Sequence, residues 1–313
     1  MLELSALIGL NIPKDYEAQR EFLLVTSPMK DLGAVLDKFL NAQKLLASEE
    51  ILTRLAFEAC EDAFNDGVRI LELRYAPTFI AEGHSHLTFE KIHQAICAGL
   101  AKARTKFPLA VGLICILQRI KPFPEAERVC DFAIENKESF IGIDLADNEV
   151  GFDPKVFAPL FLKAKKAGLR ITVHSGESVN STSAQWVKDS IEVLGAERIG
   201  HGIQIINNPD ILNYVRDKKI PLEVCPISNW LTQACKTHQE HPIRKLIQAG
   251  VKVTINSDDP GIFATQLSDD YAVLHQVHKF QIEDFDRAND IAARASFISD
   301  SEKRKFWPRS IFK

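Results

Sequence analysis

The stretch Ile171-Thr-Val-His-Ser-Gly-Glu177 has the pattern of a short apolar strand that ends in a histidine, a glycine and a carboxylate. Side chains alternate between the two faces of a strand, so Thr172 and His174 share one face. Gly176 lets the chain turn, and Glu177 follows His174 by three residues. An imidazole and a carboxylate at a strand end are suited to holding a metal ion and moving a proton. Taken alone, His174 and Glu177 are more often a surface pair at a strand–loop junction than a functional site. The residues at the other strand ends decide between these two explanations.

Apolar, β-branched runs alternate with amphipathic helical stretches on both sides of this strand. Such alternation implies right-handed crossovers and a parallel sheet. The predicted strands are Val68–Tyr75, Leu109–Gln118, Phe140–Leu145, Leu169–His174, Arg198–His201, Pro221–Cys225 and Val251–Asn256. Helices are predicted near 87–106, 124–137, 154–167, 183–195, 209–218, 241–249, 268–280 and 283–297.

The first 66 residues contain only helical and irregular segments. The seven predicted strands are one short of a (β/α)8 barrel, and the shortfall lies before residue 68. We therefore expect an α/β fold, a TIM-type (β/α)8 barrel that lacks its first strand and has extra helices, as a single domain over residues 1–313. The helices expected in the first segment are Leu2–Leu10, Leu32–Leu46 and Ser48–Asn65.

The composition is that of a soluble globular protein, with 46% apolar and 26% charged residues. A net charge of −4 gives no reason to expect nucleic acid or a membrane surface as a partner. No secretory signal is expected, and no apolar stretch approaches the roughly 20 residues that span a bilayer. The six cysteines are scattered without a C-x-x-C pair, which indicates reduced, buried thiols and a cytoplasmic location.

Polar side chains follow four of the predicted strands, at the ends where barrel enzymes place their catalytic groups. For His201 alone, a core histidine is an equally good explanation, as a helix cap is for Asp258. It is much less plausible that all the polar residues at the four strand ends have only structural roles. The set comprises Asp147-Asn-Glu149, His174 with Glu177, His201, and Asp258 with Asp259.

These residue types suit metal-assisted hydrolysis. Histidine and aspartate are ligands that zinc accepts, and a zinc ion lowers the pKa of a bound water to about 7. A second, unligated histidine can orient or deprotonate that water. A carboxyl group held protonated can deliver a proton to the substrate.

Six motifs resemble those of the adenosine deaminase family, in the same order and from about residue 2 to residue 300. The resemblance implies a zinc-dependent barrel hydrolase with one Zn2+ per chain. It also implies a purine nucleoside as the partner, with adenosine or 2'-deoxyadenosine losing ammonia from C6 and adenosine giving inosine. The motifs are Glu72-Leu-Arg-Tyr-Ala-Pro77, Gly142-Ile-Asp-Leu-Ala146, Thr172-Val-His-Ser-Gly-Glu177, Arg198-Ile-Gly-His-Gly202, Leu222-Glu-Val-Cys-Pro-Ile-Ser-Asn229 and Asn256-Ser-Asp-Asp-Pro260.

The resemblance also implies a role for each strand-end residue. His174 and Asp258 would be zinc ligands. Glu177 would be the acid that protonates the purine at N1, and His201 would position and activate the attacking water. Asp259 would accept a hydrogen bond at the purine N7.

Two departures from the family pattern affect these roles. The family opens with a strand ending in His-x-His, which completes the zinc shell, whereas this sequence begins after that point and keeps two of the four protein ligands. Asp147 stands where the family has a glycine whose amide contacts the purine, and we expect Asp147 to bind substrate through its own amide.

Three hypotheses about function remain open at this stage. The first is an adenosine deaminase. The second is an N-terminally truncated, catalytically impaired homologue that binds purine nucleosides. The third is a sibling deaminase that acts on adenine or on a modified adenosine nucleotide.

Overall fold

The computed structural model describes residues 2–312 and begins with four helices that precede the sheet. Three of them start at a capping side chain that accepts backbone N–H groups of the first turn: Asp15, Asp31 and Ser48. Two of the predicted helices in this segment are confirmed with shorter bounds, the third starts one residue after its predicted cap, and the second helix was not predicted. They are α1 (Leu2–Leu7), α2 (Tyr16–Leu23), α3 (Leu32–Gln43) and α4 (Glu49–Asn65).

Seven parallel strands follow and form one curled sheet, in which neighbours in space are neighbours in the chain. All seven predicted strands are present, so the predicted parallel α/β sheet is confirmed. The strands are β1 (Ile70–Tyr75), β2 (Ala110–Gln118), β3 (Phe140–Ala146), β4 (Arg170–Ser175), β5 (Arg198–His201), β6 (Leu222–Val224) and β7 (Val253–Ile255).

Within residues 2–312, the edge strands β1 and β7 do not pair with each other. The sheet is therefore open along that side, and the described part of the chain forms seven strands of the expected barrel. The open edge of β7 leads directly into Asp258 and Asp259, so it borders the predicted site.

Helices cover the outside of the sheet, and none of those within residues 2–312 is both long and apolar enough to cross a membrane. The segment predicted as one helix near 183–195 is an α-helix followed by a π-helical turn over Ser190–Leu194. The helices that follow β1 are α5 (Pro77–Ala81), α6 (Phe89–Lys106), α7 (Phe123–Glu135), α8 (Ala158–Ala167), α9 (Ser183–Asp189), α10 (Pro209–Lys218), α11 (Pro226–Leu231), α12 (Ile243–Gln248), α13 (Pro260–Phe263), α14 (Leu267–His278), α15 (Ile282–Ala295) and α16 (Asp300–Phe306).

The outward faces of the strands pack against these helices and form the main hydrophobic core. Ile143, Ile171, Val173, Ile199 and Val224 are fully buried there. Each such side chain contributes roughly 1.5–3 kcal/mol to folding by leaving water. All six cysteines are free thiols and five are buried.

The inward face of the sheet carries an alternating chain of buried charges in place of branched apolar side chains. Arg74 contacts Asp144 at 2.8 Å and Glu223 at 2.5 Å. Arg198 contacts Glu223 and Glu72, each at 2.6 Å. Burial opposes ionisation of Glu223, but the two arginines outweigh it and lower the pKa of Glu223 to about 2. The network of charges extends inside the sheet from the amino-terminal part of the strands to their carboxyl ends.

Candidate active site

Three side chains selected from the sequence come together at the carboxyl ends of β4, β5 and β7. The ligand atoms of His174, His201 and Asp258 all lie within 4.8 Å of one another. The side chains of His174 and Asp258 are 23% and 19% exposed, whereas that of His201 is 3% exposed. Solvent or a substrate therefore reaches the cluster past His174 and Asp258, and His201 forms its closed side.

Strand register and local backbone strain place these groups. β4 and β5 pair so that Ser175 lies opposite His201. His201 and Asp258 have φ angles of 60° and 59°, in the left-handed region that residues with a Cβ rarely adopt. Each such conformation costs of order 1–3 kcal/mol and is typical of functional sites, where the surrounding structure imposes it.

Asp144, on β3, fixes the orientation of His174. Its Oδ2 lies 2.8 Å from Nδ1 of His174, and its Oδ1 accepts the backbone N–H of the same residue at 3.2 Å. Burial opposes ionisation of Asp144, but the charges of His174 and Arg74 hold its pKa well below the usual range. An ionised carboxylate only accepts hydrogen bonds, so Nδ1 of His174 carries a hydrogen. In the neutral form of the ring, which metal binding requires, Nε2 therefore keeps a free lone pair.

Glu177 lies behind this cluster as a buried carboxyl group. Its Oε1 accepts a hydrogen bond from the Thr232 hydroxyl at 2.8 Å, and its Oε2 lies 3.5 Å from Nε2 of His201. Burial raises the pKa of Glu177, and although His201 opposes this shift, the net direction is upward. A carboxyl group with a raised pKa is suited to act as a general acid near neutral pH.

Asp259 borders an apolar cavity of about 210 Å³ that Leu4, Phe39, Phe79 and Ile262 help to line. Burial, together with the neighbouring carboxylate of Asp258, raises the pKa of Asp259 well above its usual range. A carboxyl group with a raised pKa can hold its proton and donate a hydrogen bond from an otherwise apolar wall.

Sequence comparison relates this arrangement to known proteins. A profile of the adenosine deaminase family matches residues 1–309. The chain belongs to the adenosine deaminase family. It is accordingly an aminohydrolase of that family, whose members bind zinc.

Relatives within this family differ in the substrate that their names state. Adenosine deaminase of Plasmodium knowlesi is 37% identical over 287 residues, which cover 91% of this chain and 78% of the relative. The solved structure of adenine deaminase from Arthrobacter aurescens has a TM-score of 0.89 at 28% identity, covering 97% of this chain and 90% of that one. N6-methyl-AMP deaminase from Arabidopsis thaliana has a TM-score of 0.81 at 25% identity, with 97% and 89% covered.

Asp147, at the position of the family's glycine, adopts a glycine-like backbone. Its φ is 82°, and it lies at the end of β3, outside the cluster of His174 and its neighbours. Its Oδ2 accepts a hydrogen bond from Gln118 at 2.7 Å and its Oδ1 from the backbone of Asn148 at 2.6 Å. These two bonds help to hold the left-handed conformation of Asp147.

Two polar residues of the motif Leu222–Asn229 contact the site, although no role was predicted for them. The Ser228 hydroxyl donates to Oδ2 of Asp258 at 2.6 Å, and Nδ2 of Asn229 lies 3.0 Å from Nδ1 of His201. The family resemblance had pointed to this segment. The atoms that each side chain contacts depend on how β6 and β7 are placed.

The cluster fits zinc in its chemistry. Imidazole and carboxylate are ligand types that catalytic zinc sites use, and such sites leave a position for water. His174 has in addition the carboxylate partner that zinc-binding histidines usually have. Among the described residues, no fourth His, Cys, Asp or Glu joins His174, His201 and Asp258.

Proposed function

We propose that this protein catalyses the hydrolytic deamination of adenosine or 2'-deoxyadenosine, giving inosine or 2'-deoxyinosine and ammonia. The observation that carries the proposal is a buried carboxyl group with a raised pKa, Glu177, placed 3.5 Å from His201 and beside the metal-ligand cluster. Relatives named adenosine deaminase at 31–37% identity support a nucleoside as the substrate.

Zinc would be held by Nε2 of His174 and by the carboxylate of Asp258. When bound, it would supply Lewis acidity that makes a water nucleophilic at neutral pH. The Asp144 carboxylate keeps the His174 ring aimed at the cluster, and the Ser228 hydroxyl occupies a lone pair of Asp258.

Glu177 acts on the substrate as an acid. The protonated carboxyl group donates its hydrogen to N1 of the purine, which draws electrons from C6 and prepares that carbon for attack. The hydrogen bond from the Thr232 hydroxyl to Glu177 holds the carboxyl group in place when it loses its proton. His201 contacts the attacking water from the closed side of the cluster.

Asp259 recognises the purine ring at N7. N7 of adenosine carries a lone pair and no hydrogen, so the protonated Asp259 donates this hydrogen bond, which reverses the direction expected from the sequence. The apolar cavity beside Asp259 suits a flat heterocycle. We retain the backbone amide of Asp147 as a further substrate contact.

A second candidate substrate class is adenine or a modified adenosine nucleotide. The observation that favours it is the likeness to adenine deaminase from Arthrobacter aurescens and to N6-methyl-AMP deaminase from Arabidopsis thaliana, each over 97% of this chain. The chemistry at C6 would be the same, and the groups attached at N9 would differ.

The test is a substrate comparison with the zinc-loaded protein. Adenosine, adenine and N6-methyl-AMP are incubated separately, and the product purine and the released amine are quantified by chromatography. We expect the highest kcat/KM for adenosine. Glu177→Gln should lower kcat by about 10²–10⁴-fold, whereas the exposed control Glu192→Gln should not. A zinc-loaded wild type no faster than Glu177→Gln on all three substrates would exclude deamination and favour an impaired, nucleoside-binding homologue.

A further inference from the structure

A chain of three hydrogen bonds connects His201 to a backbone amide outside the site. Nδ1 of His201 lies 3.0 Å from Nδ2 of Asn229. Oδ1 of Asn229 lies 3.2 Å from Nε2 of His241. Nδ1 of His241 accepts the backbone N–H of Ile243 at 3.2 Å. We call these three side chains and the amide the Asn229 relay.

The backbone amide of Ile243 fixes the direction of every bond in the relay. A backbone N–H can only donate, so Nδ1 of His241 must hold a lone pair. His241 is 4% exposed, and burial lowers its pKa to about 3, so the ring is neutral. A neutral imidazole with a lone pair on Nδ1 carries its hydrogen on Nε2.

The donor at His241 in turn determines the orientation of the Asn229 side-chain amide. Nε2–H of His241 donates to Oδ1, which leaves the NH2 group of Asn229 facing His201. Asn229 is fully buried, and turning its amide over would place its NH2 group against the Nε2–H donor of His241, with no acceptor between them. Nδ1 of His201 is therefore an acceptor, and the hydrogen of the neutral ring lies on Nε2.

We propose that Asn229 and His241 are positioning residues that hold His201 in the Nε2–H tautomer, so that His201 serves the site as a hydrogen-bond donor. In that tautomer Nε2 has no lone pair, so it neither ligates a metal nor takes a proton from water. This inference rests on the proposed function for its catalytic meaning, because it decides whether His201 orients or deprotonates the attacking water.

The neighbouring histidine has the opposite tautomer for an equally local reason. The carboxylate of Asp144 lies against Nδ1 of His174, so that hydrogen is on Nδ1 and the lone pair on Nε2. The two ring centres are 5.2 Å apart. One histidine thus offers a ligand atom and the other offers a hydrogen to the same small volume.

The hydrogen on Nε2 of His201 points into a group of oxygen atoms. Glu177 Oε2 lies 3.5 Å away and Asp258 Oδ2 lies 4.0 Å away, which leaves room for a water oxygen as the acceptor. His201 thus orients this water as a hydrogen-bond donor, and the proton that the water loses on attack goes to a group other than His201.

The experiment reads the tautomers directly by NMR of the full-length protein labelled with 15N at its nine histidines. Long-range 1H–15N correlations distinguish a protonated ring nitrogen from one with a lone pair. His201→Gln and His174→Gln assign the two residues. We expect Nδ1 of His201 unprotonated and Nε2 protonated, with or without zinc. A hydrogen on Nδ1 of His201, or zinc-induced loss of the Nε2 hydrogen, would overturn the proposal.

Asn229→Asp tests the relay itself. An aspartate presents only acceptors, so Nδ1 of His201 should gain a hydrogen and kcat should fall by about 10²-fold or more with little change in KM. His93, whose ring nitrogens contact the Tyr75 and Ser139 hydroxyls, serves as the internal control and should keep its resonances. Asn213→Asp, at an exposed contact with Arg216, is the variant control.

The outcomes separate the two proposals. An unchanged His201 tautomer in folded Asn229→Asp would refute the relay even if the enzyme deaminates adenosine. If Asn229→Asp does not fold, the wild-type spectrum alone decides. If the wild type shows the expected tautomers but no deamination, the proposed function fails and the relay stands.

Discussion

Oδ2 of Asp144 lies 2.8 Å from Nδ1 of His174, and the same oxygen lies 2.8 Å from Nη1 of Arg74. The carboxylate thus joins a candidate zinc ligand to the charge network inside the sheet. It fixes the ring through two atoms of His174, the side-chain Nδ1 and the backbone amide. Such outer partners raise the basicity of a ligating imidazole and hold its orientation.

We expect Asp144→Asn to weaken zinc binding by about 10–100-fold, because the ring loses its charged partner while its packing is kept. Competition with a fluorescent zinc chelator measures the affinity. Asp131→Asn, which removes an exposed carboxylate that pairs with Lys163, is the control and should bind zinc like the wild type. Equal affinity in both variants would show that Asp144 does not support the metal.

Gly200 provides the space that the His174 ring occupies across the pair of strands. A Cβ at this position would lie 3.0 Å from Cγ and 3.1 Å from Cα of His174. We expect Gly200→Ala to displace the ring, weaken zinc binding and reduce stability by roughly 1–3 kcal/mol. Zinc titration and thermal unfolding measure the two effects.

Gly33→Ala is the matched control for this substitution. A Cβ there would meet its nearest atoms at 3.3 and 3.6 Å, at the start of a helix where alanine is favourable. It should leave zinc affinity unchanged. A Gly200→Ala variant with wild-type zinc affinity would mean that the strand pair relaxes without moving His174.

The sequence predicted the sheet well because its strands are apolar runs separated by amphipathic helices. It also predicted that His174, His201 and Asp258 meet, since the carboxyl ends of parallel strands lie on one edge, whereas Asp147 lies outside their cluster. The helix over Tyr16–Leu23 was missed, although Asp15 is a good capping residue, because Leu23 is the one residue that this helix buries. For the other elements, the pattern of apolar residues along the sequence was the main signal.

The contacts that orient the site could not be predicted in the same way. Asp144 and Asn229 both lie in motifs that were recognised, but Asp144 acts on a residue 30 positions away and Asn229 on one 28 positions away. The direction of each hydrogen bond depends on a third group, such as the Ile243 amide. Alternation along a strand gives the face of a side chain and leaves its partner undetermined.

Asp270 should make stability depend on pH. It is fully buried, its Oδ1 accepts the Ile227 amide at 2.9 Å, and burial raises its pKa to about 8. Between about pH 4 and pH 8 the folded protein therefore binds more protons here than the unfolded chain. The free energy of unfolding should fall as pH rises through this range, by up to about 1.4 kcal/mol per pH unit.

Asp270→Asn removes the titrating group and keeps an acceptor for Ile227. We expect it to be more stable than the wild type near pH 8, with a difference that shrinks toward about pH 5. Urea unfolding at the two pH values measures this. Asp217→Asn, at an exposed carboxylate beside Arg216, is the control, and its free energy of unfolding should depend on pH as that of the wild type does. A pH-independent difference for Asp270→Asn would contradict the assignment.

Arg198 and Arg170 allow a buried ion pair to be compared with an exposed one on the same aromatic ring. Their guanidinium groups lie 3.6 and 4.7 Å from the centre of the Phe297 ring. The Arg198 side chain is 4% exposed and bridges Glu223 and Glu72. The Arg170 side chain is 48% exposed and pairs with Glu197 at 2.5 Å.

We expect Arg198→Met to destabilise the protein by about 3–5 kcal/mol, because it leaves two buried carboxylates without their shared cation. Arg170→Met should cost about 1 kcal/mol or less, since water replaces an exposed partner. Both substitutions remove one guanidinium from the Phe297 ring, so the difference between their denaturant midpoints reports the effect of burial. Equal losses would mean that stacking on the ring, and not the charge network of Glu223 and Glu72, makes Arg198 important.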